Sequence, residues 1–263
     1  MVFLGLTAMG IVGVVLGLIG GGGAILTMPI LVYLFSIPPS LATSYSLFVV
    51  GLVSVLGVWR YHLKGFVEYR TAILFVLPSF VGTYAARHVL LPSVPAVVLD
   101  APTFQVSKDQ LIMVIFAVVM VAASVSMIRP RSGVVSDVDE RGLQIGKLAT
   151  LGLLVGFIAG FVGAGGGFLI IPALVVWGRL PMTRAIATSL FIIAANSLVA
   201  FGGDLMSQVS VDWFFLGRLT AVAALGLLGG VRMSRMISPS ILKVTFGWFV
   251  LVMGGLILIK QVL

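Results

Sequence analysis

The segment GLIGGGGAILTMPILVYLFSIPPSLATSYSLF, Gly17 to Phe48, returns 143 positions later as GFVGAGGGFLIIPALVVWGRLPMTRAIATSLF, Gly160 to Phe191, aligned without a gap. Of the 32 aligned pairs 13 are identical, and the shared positions include the glycines, Pro29 with Pro172 and Pro38 with Pro181. The chain is therefore an internal duplication. Whatever it folds into must hold two copies of one feature, a glycine run that interrupts an apolar helix, followed by a short apolar piece.

Composition says where such a chain lives. It is 60% hydrophobic and only 9% charged, with a mean hydropathy of +1.23, whereas a soluble domain carries about 25% charged residues. No charged residue precedes Arg60, and all eight acids read as lying between apolar segments or at their edges. A bilayer is the expected solvent. The net charge of +8 then needs no nucleic-acid partner, because membrane proteins gather Lys and Arg on cytoplasmic loops. Cysteine is absent, which excludes disulfides and thiolate chemistry. The apolar N-terminus lacks a basic flank and reads as a first membrane helix, not a cleaved signal.

With Gly, Pro and charge clusters as punctuation, each half resolves into five helical pieces. They run near 2–19, 24–35, 41–59, 70–88 and 110–128, and near 148–162, 167–178, 184–201, 213–233 and 240–260. The expected class is all-α, with an N-terminal transmembrane repeat at 1–128, a cytoplasmic linker at 129–147 and a C-terminal repeat at 148–263. The second piece of each half spans about 18 Å, too short to cross a core of about 30 Å upright. A half-helix or a steeply tilted one is expected. The segment from Leu91 to Asp109, with Pro92, Pro95 and Pro102, reads as an aqueous loop that the second half lacks.

Charge fixes an orientation. If the first two pieces of each half run down and back, 12 of the 16 Lys and Arg fall on one side, and only Arg87, Lys108, Arg218 and Lys260 on the other. The rich side is then cytoplasmic, and both termini lie outside. An odd number of crossings per half inverts one copy relative to the other, the arrangement of many secondary transporters.

The glycines point to a site. Gly21, Gly22, Gly23 and Ala24 in one copy, and Gly165, Gly166, Gly167 and Phe168 in the other, stand where a helix restarts within the membrane. The first N–H groups of a restarted helix lack intrahelical partners and the helix dipole adds positive potential, which together make an anion cradle. Close helix packing is the competing reading, and the one adopted for Gly152, Gly156 and Gly160. Hydroxyls follow each break, with Thr43, Ser44, Tyr45 and Ser46 in one copy and Thr188 and Ser189 in the other. They can donate to an oxyanion, or cap and back-bond within their own helix. Asn196 is the most polar side chain deep in a span, a pocket residue or an interhelical tie. His62 and His88 read as interfacial, and Arg87 and Arg232, which end matching helices, either draw anions toward the mouths or snorkel. There is no catalytic triad, carboxylate pair or metal-ligand spacing, so neither an enzyme nor a metal or other cofactor is expected. GAGGGF lacks the last glycine of a dinucleotide fingerprint.

Taken together these segments resemble the TauE/SafE family, the sulfite exporter and toluene-sulfonate uptake permease group. GGGGAILTMPIL and GAGGGFLIIPAL are similar to its paired glycine-rich motifs, LPMTRAIATSLF to its A-x-x-TSL block, and KGFVEYR and VDWFFLG to the segments that follow each block. Tyr45 departs from that pattern, standing where the second copy has Thr188. The resemblance implies a multi-pass carrier in a bacterial or archaeal cytoplasmic membrane that moves sulfite, sulfoacetate or another organosulfonate. The expected partners are that small anion and the lipid bilayer, with a homodimer left open. A permease or channel for another anion or a metal cation, and a non-transporting scaffold, are the alternatives.

Overall fold

The computed structural model describes residues 2–101, 104–128, 145–162, 167–176, 178, 180–206, 211–234 and 239–262. The first half comprises α1 (Val2–Ile19), α2 (Thr27–Phe35), α3 (Pro39–His62) and α4 (Tyr69–Tyr84). Helix α4 continues through a π turn, Ala85–Leu90, into α5 (Leu91–Ser93), and α6 (Lys108–Ile128) closes the half. The second half comprises α7 (Ile145–Val162), α8 (Gly167–Val176), α9 (Met182–Met206), α10 (Trp213–Met233) and α11 (Pro239–Val262). The protein is all-α and polytopic. Among the described residues, Pro39–His62, Tyr69–Ser93, Met182–Met206 and Trp213–Met233 are long and apolar enough to cross a membrane. Their outward faces carry exposed Trp59, Leu77, Val81, Val199 and Leu225, a surface suited to lipid.

Helix α1 ends at a glycine for a geometric reason. Gly20 closes the helix with an N–H bond to the Leu16 carbonyl at 2.8 Å and then takes φ 74, a left-handed conformation that a side chain disfavours. The chain restarts as a 3₁₀ turn, Gly21–Leu26, before α2. It has by then reversed: a Cβ on Gly5, near the start of α1, would collide with the Phe35 ring at the end of α2. The short second piece is thus a half-helix that folds back along the first.

The two halves pack through exchanged helices. Gly13 of α1 lies on the Ala223 carbonyl of α10, and Gly17 on that of Leu227. In the same relation Gly156 of α7 lies on the Ser79 carbonyl of α4, and Gly160 on that of Thr83. Each of these pairs runs parallel. By contrast α3 and α9, which are counterparts, run antiparallel: Ser44 bonds Asp204, Leu47 packs with Ala200 and Phe201, Gly51 abuts Leu198 and Gly57 abuts Leu190. Counterpart helices that point in opposite directions are the signature of inverted repeats. Backbones meet this closely only where glycine removes the Cβ, and Gly152, Gly156 and Gly160 do serve that packing.

Three boundaries differ from the sequence-based expectation. The loop from Leu91 to Asp109 is partly ordered, as a helical turn and an antiparallel hairpin of β1 (Val97–Ala101) and β2 (Phe104–Ser107). Helix α7 begins at Ile145, inside the expected linker; residues 129–144 lie outside the described residues. Helix α9 does not stop near residue 201 but runs on to Met206. Gly202 and Gly203 are therefore helical, and Gly203 makes room for the His88 ring, which a Cβ there would strike.

Candidate functional site

The two breaks touch. A Cβ on Gly21 would lie 2.5 Å from the Gly167 Cα, and either glycine's Cβ would meet the Cδ1 of Ile193, at 2.5 and 2.6 Å respectively. Ile193 is near the middle of α9, so the contact sits at the centre of the molecule. Gly22, Gly23 and Ala24 complete the same 3₁₀ turn. Gly167 and Phe168 form the first turn of α8, whose unpaired N–H groups and dipole open there. Gly165 and Gly166 lie outside the described residues.

On α2, α3 and α9 stand buried polar atoms that have no partner among the described residues. The hydroxyls of Thr27, Ser46, Ser54 and Ser197 and the Oδ1 of Asn196 are buried and make no hydrogen bond. Burying an unbonded hydroxyl costs about 1–3 kcal/mol, and native interiors satisfy nearly all such groups. Asn196 does donate through Nδ2 to the Ser79 hydroxyl at 2.5 Å, tying α9 to α4. Ser189 bonds back to the Ile186 carbonyl at 2.8 Å and stands beside Gly20. Because α3 and α9 are antiparallel, Ser46 and Ser189 fall on opposite sides of the glycine contact.

Tyr45 and Thr188 are engaged elsewhere, and in the same way. The Tyr45 hydroxyl accepts the N–H of Asp212 at 2.9 Å, and the Thr188 hydroxyl accepts the N–H of Glu68 at 3.0 Å. Asp212 and Glu68 are the N-cap residues of α10 and α4. Each hydroxyl thus pins the start of a long helix in the opposite half. At the Thr188 pin Arg184 adds an exposed ion pair to Glu68 at 3.3 Å.

What sequence reading missed is the pairing of Arg87 with Asp204. Asp204, expected in a loop beyond the span, is 7% exposed within α9, and Arg87, expected at a helix end to draw anions or snorkel, is 5% exposed. The π turn of α4 carries Arg87 inward. Its Nε donates to Asp204 Oδ1 at 2.6 Å, and Nη2 reaches Asp204 Oδ2 and the hydroxyls of Ser44 at 2.7 Å and Thr43 at 3.1 Å. Ser44 in turn donates to Asp204 Oδ2 at 2.6 Å. Among the described residues Nη1 has one longer contact, 3.4 Å to the Gly160 carbonyl. The cluster joins α3, α4, α7 and α9 at one point. Charge counting had left Arg87 on the same outer side as the end of α9, which is the one clue the sequence offered. His62, by comparison, is exposed and shares a 2.8 Å bond with Tyr69. Among the described residues no group of three His or acids is placed to hold a metal.

Comparison with known proteins agrees with this architecture. The family described as sulfite exporter TauE/SafE matches residues 5–257. A probable membrane transporter protein of Xylella fastidiosa is 30% identical over 249 residues, covering 92% of this chain and 89% of its own. The probable membrane transporter protein YunE of Bacillus subtilis is 28% identical over 253 residues, with 89% and 88% covered. One from Methanocaldococcus jannaschii is 24% identical over 257 residues, with 93% and 90% covered. No solved structure matches. With paired glycine breaks, apolar spans and a family match along nearly its whole length, the chain belongs to the sulfite exporter TauE/SafE family of membrane transporters.

Proposed function

We propose that this transporter carries a small sulfur-containing oxyanion, sulfite or an organosulfonate such as sulfoacetate, outward across the cytoplasmic membrane by alternating access. The carrying observation is the central contact of two broken helices, Gly21 against Gly167, together with buried hydroxyls at Thr27, Ser46, Ser54 and Ser197 that have no partner among the described residues. Hydroxyl and backbone N–H donors can replace part of an anion's hydration without burying a full opposite charge. Gly21 to Ala24 and Gly165 to Phe168 supply N–H donors, Ser46 and Ser189 supply hydroxyls, and Asn196 shapes the pocket. Tyr45 and Thr188 hold the flanking helices in register. The family's description as a sulfite exporter supports both the anion class and the direction.

In this reading both termini lie outside, and the loop carrying Arg60, Lys64 and Arg70 is cytoplasmic. The halves rock against each other about the glycine contact, exposing the site to one side at a time. Proteoliposomes loaded with radiolabelled sulfite, sulfoacetate, sulfate or taurine test it. Saturable flux of at least one sulfur oxyanion is expected; flux of none, with robust flux of a cation, refutes the reading.

A further inference from the structure

The Arg87–Asp204 cluster has a counterpart at the other end of the molecule, and the two differ in one respect. Counting along α3 and α9 without a gap, Asp204 corresponds to Tyr61 and Gly160 to Gly17. Tyr61 donates to the Gly17 carbonyl at 3.2 Å, as Arg87 donates to the Gly160 carbonyl. The inner tie is therefore made by a neutral phenol, which also hydrogen-bonds Ser234 and carries Lys64 over its ring. Thr43 and Ser44, which flank the ion pair, correspond to Ile186 and Ala187, and the inner end lacks those hydroxyls. The π turn that aims Arg87 belongs to α4, while its counterpart α10 is α-helical throughout.

A fold that ties α3 to α1 with a phenol at one end does not need an ion pair for the corresponding tie of α9 to α7 at the other. Buried ion pairs are also poor stabilisers compared with neutral packing, because both charges lose their hydration. The charge calls for another role. A guanidinium and a serine hydroxyl that both donate to one carboxylate form an oxyanion receptor, held in place by Thr43, whose hydroxyl accepts from Arg87 and donates to the Ser40 carbonyl, and Nη1 has donor capacity beyond its one long contact.

We propose that Arg87 and Ser44, with Thr43 positioning the guanidinium, form a second anion site at the outer end of the molecule, which the Asp204 carboxylate occupies in this state and the transported oxyanion takes over. The proposal rests on the transport reading above for its substrate class. When the oxyanion displaces Asp204, the tie between α9 and α4 opens, so arrival of the substrate at the outer end releases the outer gate.

Binding, and not only flux, tests it. The full chain in detergent is titrated with sodium sulfite against sodium chloride of equal ionic strength, with affinity read from thermal stabilisation. Asp204→Asn removes the competing charge and should bind sulfite about tenfold tighter than the unaltered chain, as befits one charge-assisted contact. The double variant Arg87→Met with Asp204→Met leaves no unpaired charge and should stay folded while binding about tenfold weaker. Unchanged affinity in Asp204→Asn overturns the proposal. If that variant fails to fold, unchanged affinity in the folded double variant overturns it. Tighter binding by Asp204→Asn in a chain without flux upholds the site and refutes the transport reading; flux with unaltered affinity does the reverse.

Discussion

At the scale of single residues, the hydroxyls divide by what they touch. Thr188 and Tyr45 differ in chemistry and size yet accept equivalent N-cap N–H groups, Glu68 and Asp212, so the family-like position tolerates a phenol because its oxygen reaches the same kind of donor. Thr188→Val should cost about 1–2 kcal/mol, the worth of a lost cap-type bond that leaves a part-buried N–H unpaired. Tyr45→Phe should cost a similar amount, and both should appear as a lowered unfolding temperature in detergent. Loss of flux in either variant at unchanged stability would return these residues to substrate binding. The sequence showed that hydroxyls cluster after each glycine break, but not which had partners. Those partners lie far along the chain, 120 residues away for Thr188 and 167 for Tyr45. The pairing of Arg87 with Asp204 escaped for the same reason, the two being 117 residues apart, and because Gly202 and Gly203 before the acid read as a helix stop.

At the scale of elements, glycine does different work in different helices. The half-helix α2 was legible because a left-handed glycine and a short apolar run both leave marks in sequence. The π turn of α4 leaves none, since any residue adopts it, and only the fold reveals that it turns Arg87 inward. Alanine substitution separates the classes. Gly21→Ala places a Cβ against the Gly167 backbone and should cost about 1–3 kcal/mol through overpacking, together with most of the flux. Gly217→Ala on α10 meets nothing within 4 Å and should keep full flux, with stability unchanged or raised by up to about 1 kcal/mol. Equal behaviour of the two in parallel melting and flux measurements would show that the central contact is not special.

For the whole molecule, the duplication accounts for most of the architecture. Parallel α1–α10 and α4–α7 and antiparallel α3–α9 follow if one half is the other inverted, and the glycine pairs Gly13 with Gly156 and Gly17 with Gly160 repeat the same contacts. Charge counting foresaw that inversion, because loops sort by Lys and Arg whatever the packing inside. It could not foresee the asymmetry of the two ends, a buried ion pair at one and a phenol at the other, which depends on single residues. The central claim is that one path runs between inverted halves and opens to each side in turn. The chain has no cysteine, so the direct test needs no prior engineering: Ser46→Cys and Ser189→Cys, counterparts on opposite sides of the glycine contact, are labelled with a membrane-impermeant anionic thiol reagent from either face, with and without sulfite. The account predicts that the first reacts from outside and the second from inside, and that saturating sulfite slows both; reaction of both from one face, or indifference of both to sulfite, would contradict it.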